Sequence, residues 1–231
     1  MIKAVFFDLY FTLVRYEPPR EEIESAVLRD FGIDISAEAL RRPMQLADEF
    51  IYGEIARRPL SARSREEQAA LYGQYQELLL KEAGVKHDQK LVLVLLGKMR
   101  QARMDIVPYD DVLPALDALK KRGLVLGLIS NIEQDITGTL DRLGLRSRLD
   151  VVVTSQDAGA NKPQPEIFQF ALRKASVSPA EAIYIGDQYR VDVVGASGAG
   201  MKAILLDRAG NHEDINDCPR VKSLAEVTNY L

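Results

Sequence analysis

Cysteine and histidine are scarce in this sequence, and their scarcity excludes several kinds of site. The chain of 231 residues contains one cysteine and two histidines. A lone cysteine, Cys218, can form neither an internal disulfide nor a cysteine zinc cluster, which fits a reducing compartment. His87 and His212 leave little for histidine-based catalysis or for zinc ligation. We therefore expect carboxylates to carry whatever chemistry the protein performs.

The sequence also lacks an excess of basic residues and a long apolar run. Lys and Arg number 30 against 34 Asp and Glu, a net charge of −4, so the basic surplus of a general nucleic-acid binder is absent. Asp8 interrupts the apolar residues 4–7 too early for a signal-peptide core. The apolar run 91–96 is far shorter than the roughly 20 residues of a membrane helix. We expect a cytoplasmic protein that binds neither nucleic acid nor membrane, and its oligomeric state stays open.

Short apolar runs alternate with helical patterns at both ends of the chain. The apolar runs cover residues 4–7, 124–129, 151–153, 182–185 and 203–206. Brief, continuous runs of this kind are typical of strands buried on both faces of a parallel sheet. Helical spacing covers residues 112–121, 132–143, 166–174 and 191–199. The alternation predicts a doubly wound, Rossmann-like α/β core with right-handed crossovers.

The middle of the chain breaks this alternation, because it contains helix signals and little that indicates strand. Ser36 is typical of a helix cap, and Pro43 predicts that the helix bends or restarts there. Ser64 begins a capping box before residues 68–83, and Asp88 is placed to cap residues 91–102. We predict two domains: a helical cap over residues 15–104 and an α/β catalytic core formed by residues 1–14 and 105–231.

Polar residues follow the predicted strands at the edge where a doubly wound sheet binds ligands. They are Asp8 and Thr12, Ser130 and Asn131, Lys162, and Asp187 with Asp192. Crowded carboxylates without His or Cys favour Mg²⁺, which prefers oxygen ligands. A hydroxyl and a lysine beside the metal form a pocket for a phosphoryl group. An aspartate that attacks in line would form an aspartyl intermediate.

Four segments of the chain resemble the haloacid dehalogenase superfamily of hydrolases. They are DLYFTL at 8–13, SN at 130–131, KPQPEIF at 162–168 and GDQYRVD at 186–192. Each segment alone is a weak signal, but the four in order at strand ends are a strong one. The resemblance implies an α/β core with an inserted helical cap and hydrolysis of a small anionic substrate.

The resemblance also implies a role for each residue of the set. Asp8 would be the nucleophile and a metal ligand, and the backbone carbonyl of Tyr10 would be a second ligand. Asp187 would complete the protein ligands of Mg²⁺, with Asp192 as a further ligand or as a residue that holds one. Lys162 would neutralise Asp8 and the incoming anion. Thr12 would take part in catalysis by bracing the loop after the first strand. Ser130 would take part in catalysis and bind the substrate, and Asn131 would bind the substrate as well.

Tyr10 departs from the usual pattern of the superfamily's phosphatases, which carry a second aspartate as general acid and base at this position. A tyrosine with its usual pKa of about 10 matches acid–base work near neutrality poorly. Tyrosine at this position resembles the 2-haloacid dehalogenase branch, where halide leaves without a proton. Arg42 resembles the cap arginine of that branch, which helps to receive the halide. The resemblance implies that Arg42 would bind the substrate. The acidic pair Asp187 and Asp192 favours the phosphatases instead, since buried aspartates are costly without a cation.

Three functions therefore stand side by side. The leading hypothesis is a Mg²⁺-dependent phosphatase that acts on a small phosphorylated metabolite through an aspartyl phosphate on Asp8. The second is a metal-independent 2-haloacid dehalogenase that uses the same nucleophile. The third is a weakly catalytic aspartyl-phosphate module with a binding or regulatory role, which the large predicted cap disfavours.

Overall fold

A parallel sheet organises the larger part of the chain. In the computed structural model, which describes residues 1–231, the strands are β1 Ala4–Phe7, β2 Val14–Glu17, β3 Asp105–Pro108, β4 Val125–Ser130, β5 Val151–Thr154, β6 Ala182–Gly186, β7 Lys202–Leu206 and β8 Arg220–Val221. Six of them form a sheet in the order β5-β4-β1-β6-β7-β8, and β2 pairs with β3 in a separate two-stranded sheet. Every pairing within the six-stranded sheet is parallel.

The chain divides into two compact units. The first comprises Met1–Arg15 and Val107–Leu231, and the second comprises Tyr16–Ile106. That the second unit serves as a cap over a catalytic core stays a prediction.

The central strands of the first unit are buried on both faces. All four residues of β1 are buried, and Phe7 lies in register with Leu128 of β4 and Ile185 of β6. The helices of this unit are α5 Val112–Lys121, α6 Thr137–Arg142, α7 Ser155–Ala158, α8 Pro165–Ala175 and α9 Val194–Gly198. Helix α8 buries Ile167, Phe168, Ala171 and Leu172 in the core against the sheet. This architecture confirms the predicted doubly wound α/β fold.

Four helices form the second unit. They are α1 Arg20–Asp30, α2 Ala37–Arg57, α3 Arg65–Glu82 and α4 Gln89–Gln101. Side chains at three predicted caps accept backbone hydrogen bonds: Ser36 from Ala39, Ser64 from Glu67 and Asp88 from Leu91. The apolar sides of the four helices pack together in one core, which includes Leu28, Leu40, Leu79, Leu80 and Leu95.

Three helix predictions need correction. The helix predicted over 132–143 is limited to α6, because Asp135 accepts hydrogen bonds from both the amide and the hydroxyl of Thr137 and holds the preceding residues in a loop. Helix α2 continues through Pro43, so the predicted restart is wrong. One missing backbone hydrogen bond is outweighed there by the burial of Met44, Ala47 and Ile51.

Residues 191–199 do not form the single helix that was predicted. A π-helical turn over Tyr189–Val193 precedes the short helix α9 in this region.

The strands β2, β3 and β8 were not predicted, because they are two to four residues long and contain charged or proline residues. None of the helices has the combination of length and apolar character that a bilayer-spanning helix requires.

Candidate active site

Three neighbouring strands bring the predicted site residues to one edge of the sheet. Strand β1 lies between β4 and β6. Asp8 follows β1, Ser130 is the last residue of β4, and Asp187 follows β6. Because all three strands are parallel, their carboxyl ends lie at the same edge. The topology therefore gathers residues that are 179 positions apart in sequence, from Asp8 to Asp187.

Lys162 lies at the centre of this group and is 2% exposed. Its ammonium donates hydrogen bonds to Asp8 Oδ1 at 2.6 Å, Asp192 Oδ1 at 2.7 Å and Tyr184 Oη at 2.8 Å. Burial alone would lower the pKa of Lys162, but the charges of Asp192 and Asp8 outweigh it and raise that pKa. The lysine is therefore a buried cation that two carboxylates compensate.

Asp192 is held by hydrogen bonds on both carboxylate oxygens. Oδ1 accepts from Lys162 and, at 2.9 Å, from the hydroxyl of Tyr184. Oδ2 accepts from the backbone amide of Gln188 at 3.0 Å. A Cβ at Gly186 would lie 2.3 Å from Asp192 Cγ, so only glycine leaves room for this carboxylate. The Gly-Asp pair of the motif therefore has two functions. It supplies Asp187, and its glycine leaves space for Asp192.

Asp8, Asp187 and Asp192 form a cluster whose carboxylate oxygens lie within 4.8 Å of one another. Burial raises the pKa of Asp8 from 3.8 to about 6, although the charge of Lys162 opposes the rise. Burial, followed by the charges of Asp192 and Asp8, raises the pKa of Asp187 well above its usual range. Three carboxylates against one ammonium leave two negative charges without compensation when all are ionised.

These residues fit a hard divalent cation. The raised pKa values of Asp8 and Asp187 indicate a shortage of positive charge at the cluster. The donor atoms are all oxygens, which suits Mg²⁺ rather than a softer metal. Asp187 is oriented by Thr12 Oγ1 at 3.3 Å and by Gln188 Nε2 at 3.0 Å.

A tight loop follows the candidate nucleophile. The amide of Asp8 donates to Ile185 O at 2.9 Å, which ties the end of β1 to β6. The amides of Leu13 and Val14 both donate to Leu9 O at 2.9 Å. Phe11 has a φ of 61°, a left-handed conformation that costs energy for a bulky residue. Tyr10, two residues after Asp8, lies half-buried in this loop.

Ser130 ends strand β4, and Asn131, the next residue along the chain, contacts the lysine. Ser130 is buried at the end of β4. The side chain of Asn131 pairs with the backbone of Lys162: Nδ2 donates to its carbonyl at 2.9 Å, and Oδ1 accepts from its amide at 2.6 Å. The geometry thus places Asn131 against the lysine backbone, whereas the sequence analysis assigned it to the substrate.

Two residues were missed by the sequence analysis. Tyr184 contacts Lys162 and Asp192, and a signal for it existed: a hydroxyl within a strand buried on both faces needs a polar partner. Arg208 donates to Thr12 O at 2.9 Å and thereby holds the loop after β1. No sequence pattern indicates that contact.

Arg42 belongs to the second unit. It lies exposed on α2 and donates from Nη1 to Gln45 Oε1 at 3.1 Å. Its predicted role in substrate binding stays a prediction.

Known proteins resemble this chain in sequence and in fold. The family model of the haloacid dehalogenase-like hydrolases matches residues 51–206. The glyceraldehyde 3-phosphate phosphatase of Methanopyrus kandleri is 31% identical over 93% of this chain and 88% of its own length. The phosphoserine phosphatase of Thermus thermophilus is 32% identical over 98% of both chains.

Among solved structures, the 2-haloacid dehalogenase of Pseudomonas syringae is 28% identical, with a TM-score of 0.57 over 99% of this chain and 97% of its own. The family model covers more than half of the chain, and the relatives extend the match to nearly its full length. The chain belongs to the haloacid dehalogenase-like hydrolase family.

Proposed function

We propose that this hydrolase is a Mg²⁺-dependent phosphatase that releases phosphate from a small phosphorylated metabolite through an aspartyl phosphate on Asp8. The observation that carries the proposal is the cluster of Asp8, Asp187 and Asp192 around the buried ammonium of Lys162. Relatives named as glyceraldehyde 3-phosphate phosphatase and phosphoserine phosphatase support the same reaction class.

Asp8, Asp187 and the backbone carbonyl of Tyr10 would hold the metal. When bound, Mg²⁺ would neutralise the carboxylates and the oxygens of the phosphoryl group. Asp192 has hydrogen bonds on both oxygens, so its role would be to hold Lys162 in place.

Asp8 would act as the nucleophile in two steps. In the first, one of its oxygens bonds to phosphorus while the bond to the leaving oxygen breaks, and that oxygen keeps the electron pair. In the second, water adds to phosphorus and releases a proton to solvent as the bond to Asp8 breaks, which frees phosphate. Lys162 and the hydroxyl of Ser130 would stabilise the negative charge on the phosphoryl oxygens.

Tyr10 shapes the substrates that this site can use. Phenols, whose usual pKa is about 10, are weak proton donors for a leaving alkoxide at neutral pH. Leaving groups that need no proton, such as those of acyl and aryl phosphates, should depart readily. Alkyl esters should react much more slowly.

The test is a phosphatase screen with and without Mg²⁺, on substrates graded by the pKa of the leaving group. We expect phosphate release that needs Mg²⁺, is removed by EDTA and rises steeply as the leaving-group pKa falls. Asp8→Asn should abolish it, while Asp141→Asn, a change at an exposed position of α6, serves as the matched control. Full activity of Asp8→Asn or in EDTA would contradict the proposal, and a flat substrate profile would show that Tyr10 is not limiting.

A second candidate function is dehalogenation of a 2-haloacid. Tyr10 after Asp8 favours it, because halide leaves without a proton, and a solved 2-haloacid dehalogenase shares the fold at 28% identity. Metal-independent release of chloride from 2-chloropropionate would establish this activity. Its absence across several haloacids would remove it.

A further inference from the structure

Tyr184 is a polar residue in the middle of β6, a strand that is buried along its whole length. Its side chain is fully buried, and Phe168 packs against it edge to face with ring centroids 5.3 Å apart. A tyrosine has few rotatable bonds, and close packing on the ring leaves its hydroxyl little freedom. The hydroxyl therefore occupies a fixed point beneath the site.

The hydroxyl completes the hydrogen bonding of Lys162. An ammonium has three N–H donors, and the three acceptors here are Asp8, Asp192 and Tyr184. The hydroxyl accepts from the lysine and in turn donates to Asp192 Oδ1 at 2.9 Å; Ile129 O, at 3.3 Å, is an alternative acceptor for the same proton.

Three polar atoms thus form a closed triangle. Its sides are 2.7 Å from Lys162 Nζ to Asp192 Oδ1, 2.8 Å from Nζ to Tyr184 Oη, and 2.9 Å from Oη to Oδ1. The ammonium therefore donates to two atoms that are themselves joined by a hydrogen bond. Its third acceptor is Asp8 Oδ1, at 2.6 Å.

We propose that Tyr184 is a positioning residue, whose hydroxyl fixes the direction of the Lys162 ammonium towards Asp8. Without the hydroxyl, one N–H in a buried position loses its acceptor and Asp192 loses a donor. The ammonium is then free to turn about its hydrogen bond to Asp192, away from Asp8. The predicted effect on catalysis rests on the proposed phosphatase function, whereas the effect on the ammonium does not.

The test compares Tyr184→Phe with wild type by two measurements. In ¹H–¹⁵N spectra of the lysine ammonium groups, Lys162 should give a slowly exchanging signal, which Lys162→Arg removes and thereby assigns. In Tyr184→Phe that signal should shift, and its exchange with water should accelerate about tenfold or more. On an aryl phosphate with Mg²⁺, kcat should fall about tenfold to a hundredfold while KM stays within about twofold.

Val153→Ala is the matched control, because it removes packing from the same core without touching a hydrogen bond of the site. It should lower thermal stability and leave both the ammonium signal and kcat per folded molecule unchanged. An unchanged Lys162 signal in Tyr184→Phe, or a fall in kcat no larger than in Val153→Ala, would overturn the proposal. If wild type releases no phosphate from any ester, the phosphatase assignment fails and the spectra alone decide the role of Tyr184.

Discussion

At the scale of single residues, Lys162 offsets part of the negative charge of the candidate site. Its ammonium faces Asp8 and Asp192, and its backbone pairs in both directions with the side chain of Asn131. Both ends of the lysine are therefore fixed before a ligand arrives, which lowers the reorganisation that catalysis requires. Two residue-scale predictions follow from these contacts.

Asn131→Ala should act on the rate and on stability rather than on substrate affinity. The change leaves the amide and carbonyl of Lys162 without their partner, at a cost of about 1–3 kcal/mol in the free energy of unfolding. We expect a lower kcat with a nearly constant KM, measured on an aryl phosphate, and a lower urea midpoint. A large rise in KM with unchanged stability would instead favour the direct substrate contact that the sequence analysis assigned to Asn131.

Gly186→Ala should displace Asp192. The added Cβ would lie 2.3 Å from Asp192 Cγ, so the carboxylate has to move away from Lys162. We expect nearly complete loss of phosphate release. In Gly138→Ala the new Cβ meets nothing within 4 Å, so this control in α6 should keep its activity and gain about 0.5–1 kcal/mol of stability. Comparable activity in the two variants would contradict the argument.

At the scale of elements, Arg208 and Asp111 join three segments of the first unit. Arg208 follows β7, stacks on Tyr109 at 3.9 Å from the ring centroid, and donates to both oxygens of Asp111 at 3.0 Å. Asp111 also accepts from Ser223 and from the amide of Leu224 near the end of the chain. Through Thr12 O, the same arginine holds the loop after β1.

Arg208→Gln should therefore loosen this junction. The lost bidentate pair is partly buried, so we expect a fall of about 1–3 kcal/mol in the free energy of unfolding, measured by urea denaturation at pH 7. A double-mutant cycle with Asp111→Asn isolates the pair, and a coupling energy near zero would show that the two residues do not act together.

The same pair predicts a dependence on pH. Burial would raise the pKa of Asp111, but hydrogen bonds from Arg208, Ser223 and Leu224 outweigh it and lower that pKa. A carboxyl group whose folded-state pKa is lowered contributes stability that is complete above its unfolded pKa of 3.8 and is lost as the pH falls further. The stability difference between wild type and Arg208→Gln should thus narrow below about pH 4.

At the scale of the whole molecule, the free energy of folding should depend on Mg²⁺. The protein without metal must hold Asp8, which is buried, and Asp187, which is half-buried, at a site that raises their pKa values. Because their folded-state pKa values exceed the unfolded value of 3.8, their ionisation opposes folding, and stability in EDTA should fall as the pH rises from about 4 through about 6. A cation that binds only the folded state should restore this loss.

Thermal unfolding with and without Mg²⁺ tests this linkage. At a concentration a hundredfold above its dissociation constant at pH 7.5, the ion should add about 2.7 kcal/mol, and the same concentration should add less at pH 5. Asp187→Asn should lose most of this stabilisation, whereas Asp141→Asn should keep it. Equal stabilisation of all three proteins by Mg²⁺ would exclude the cluster as the binding site.

The local sequence determined much of this protein, for reasons that act over a few residues. Continuous apolar runs mark strands buried on both faces, and helical spacing of apolar residues marks helices, so β1 and α5 were predicted with the bounds that the structure has. Capping residues such as Ser36 and Ser64 indicate where helices begin, because their side chains accept hydrogen bonds from amides three residues away. The order of four short motifs at strand ends identified the family and indicated which residues form the candidate site.

Only the tertiary structure determined which of those residues contact one another. The pairing of Asn131 with Lys162 and the contact of Tyr184 with Asp192 join separate elements, so no local pattern carries them. The continuation of α2 through Pro43 depends in the same way on the core around it. Local sequence sets which elements form, whereas hydrogen bonding and burial across the fold set which atom faces which, since those energies exist only after distant segments meet.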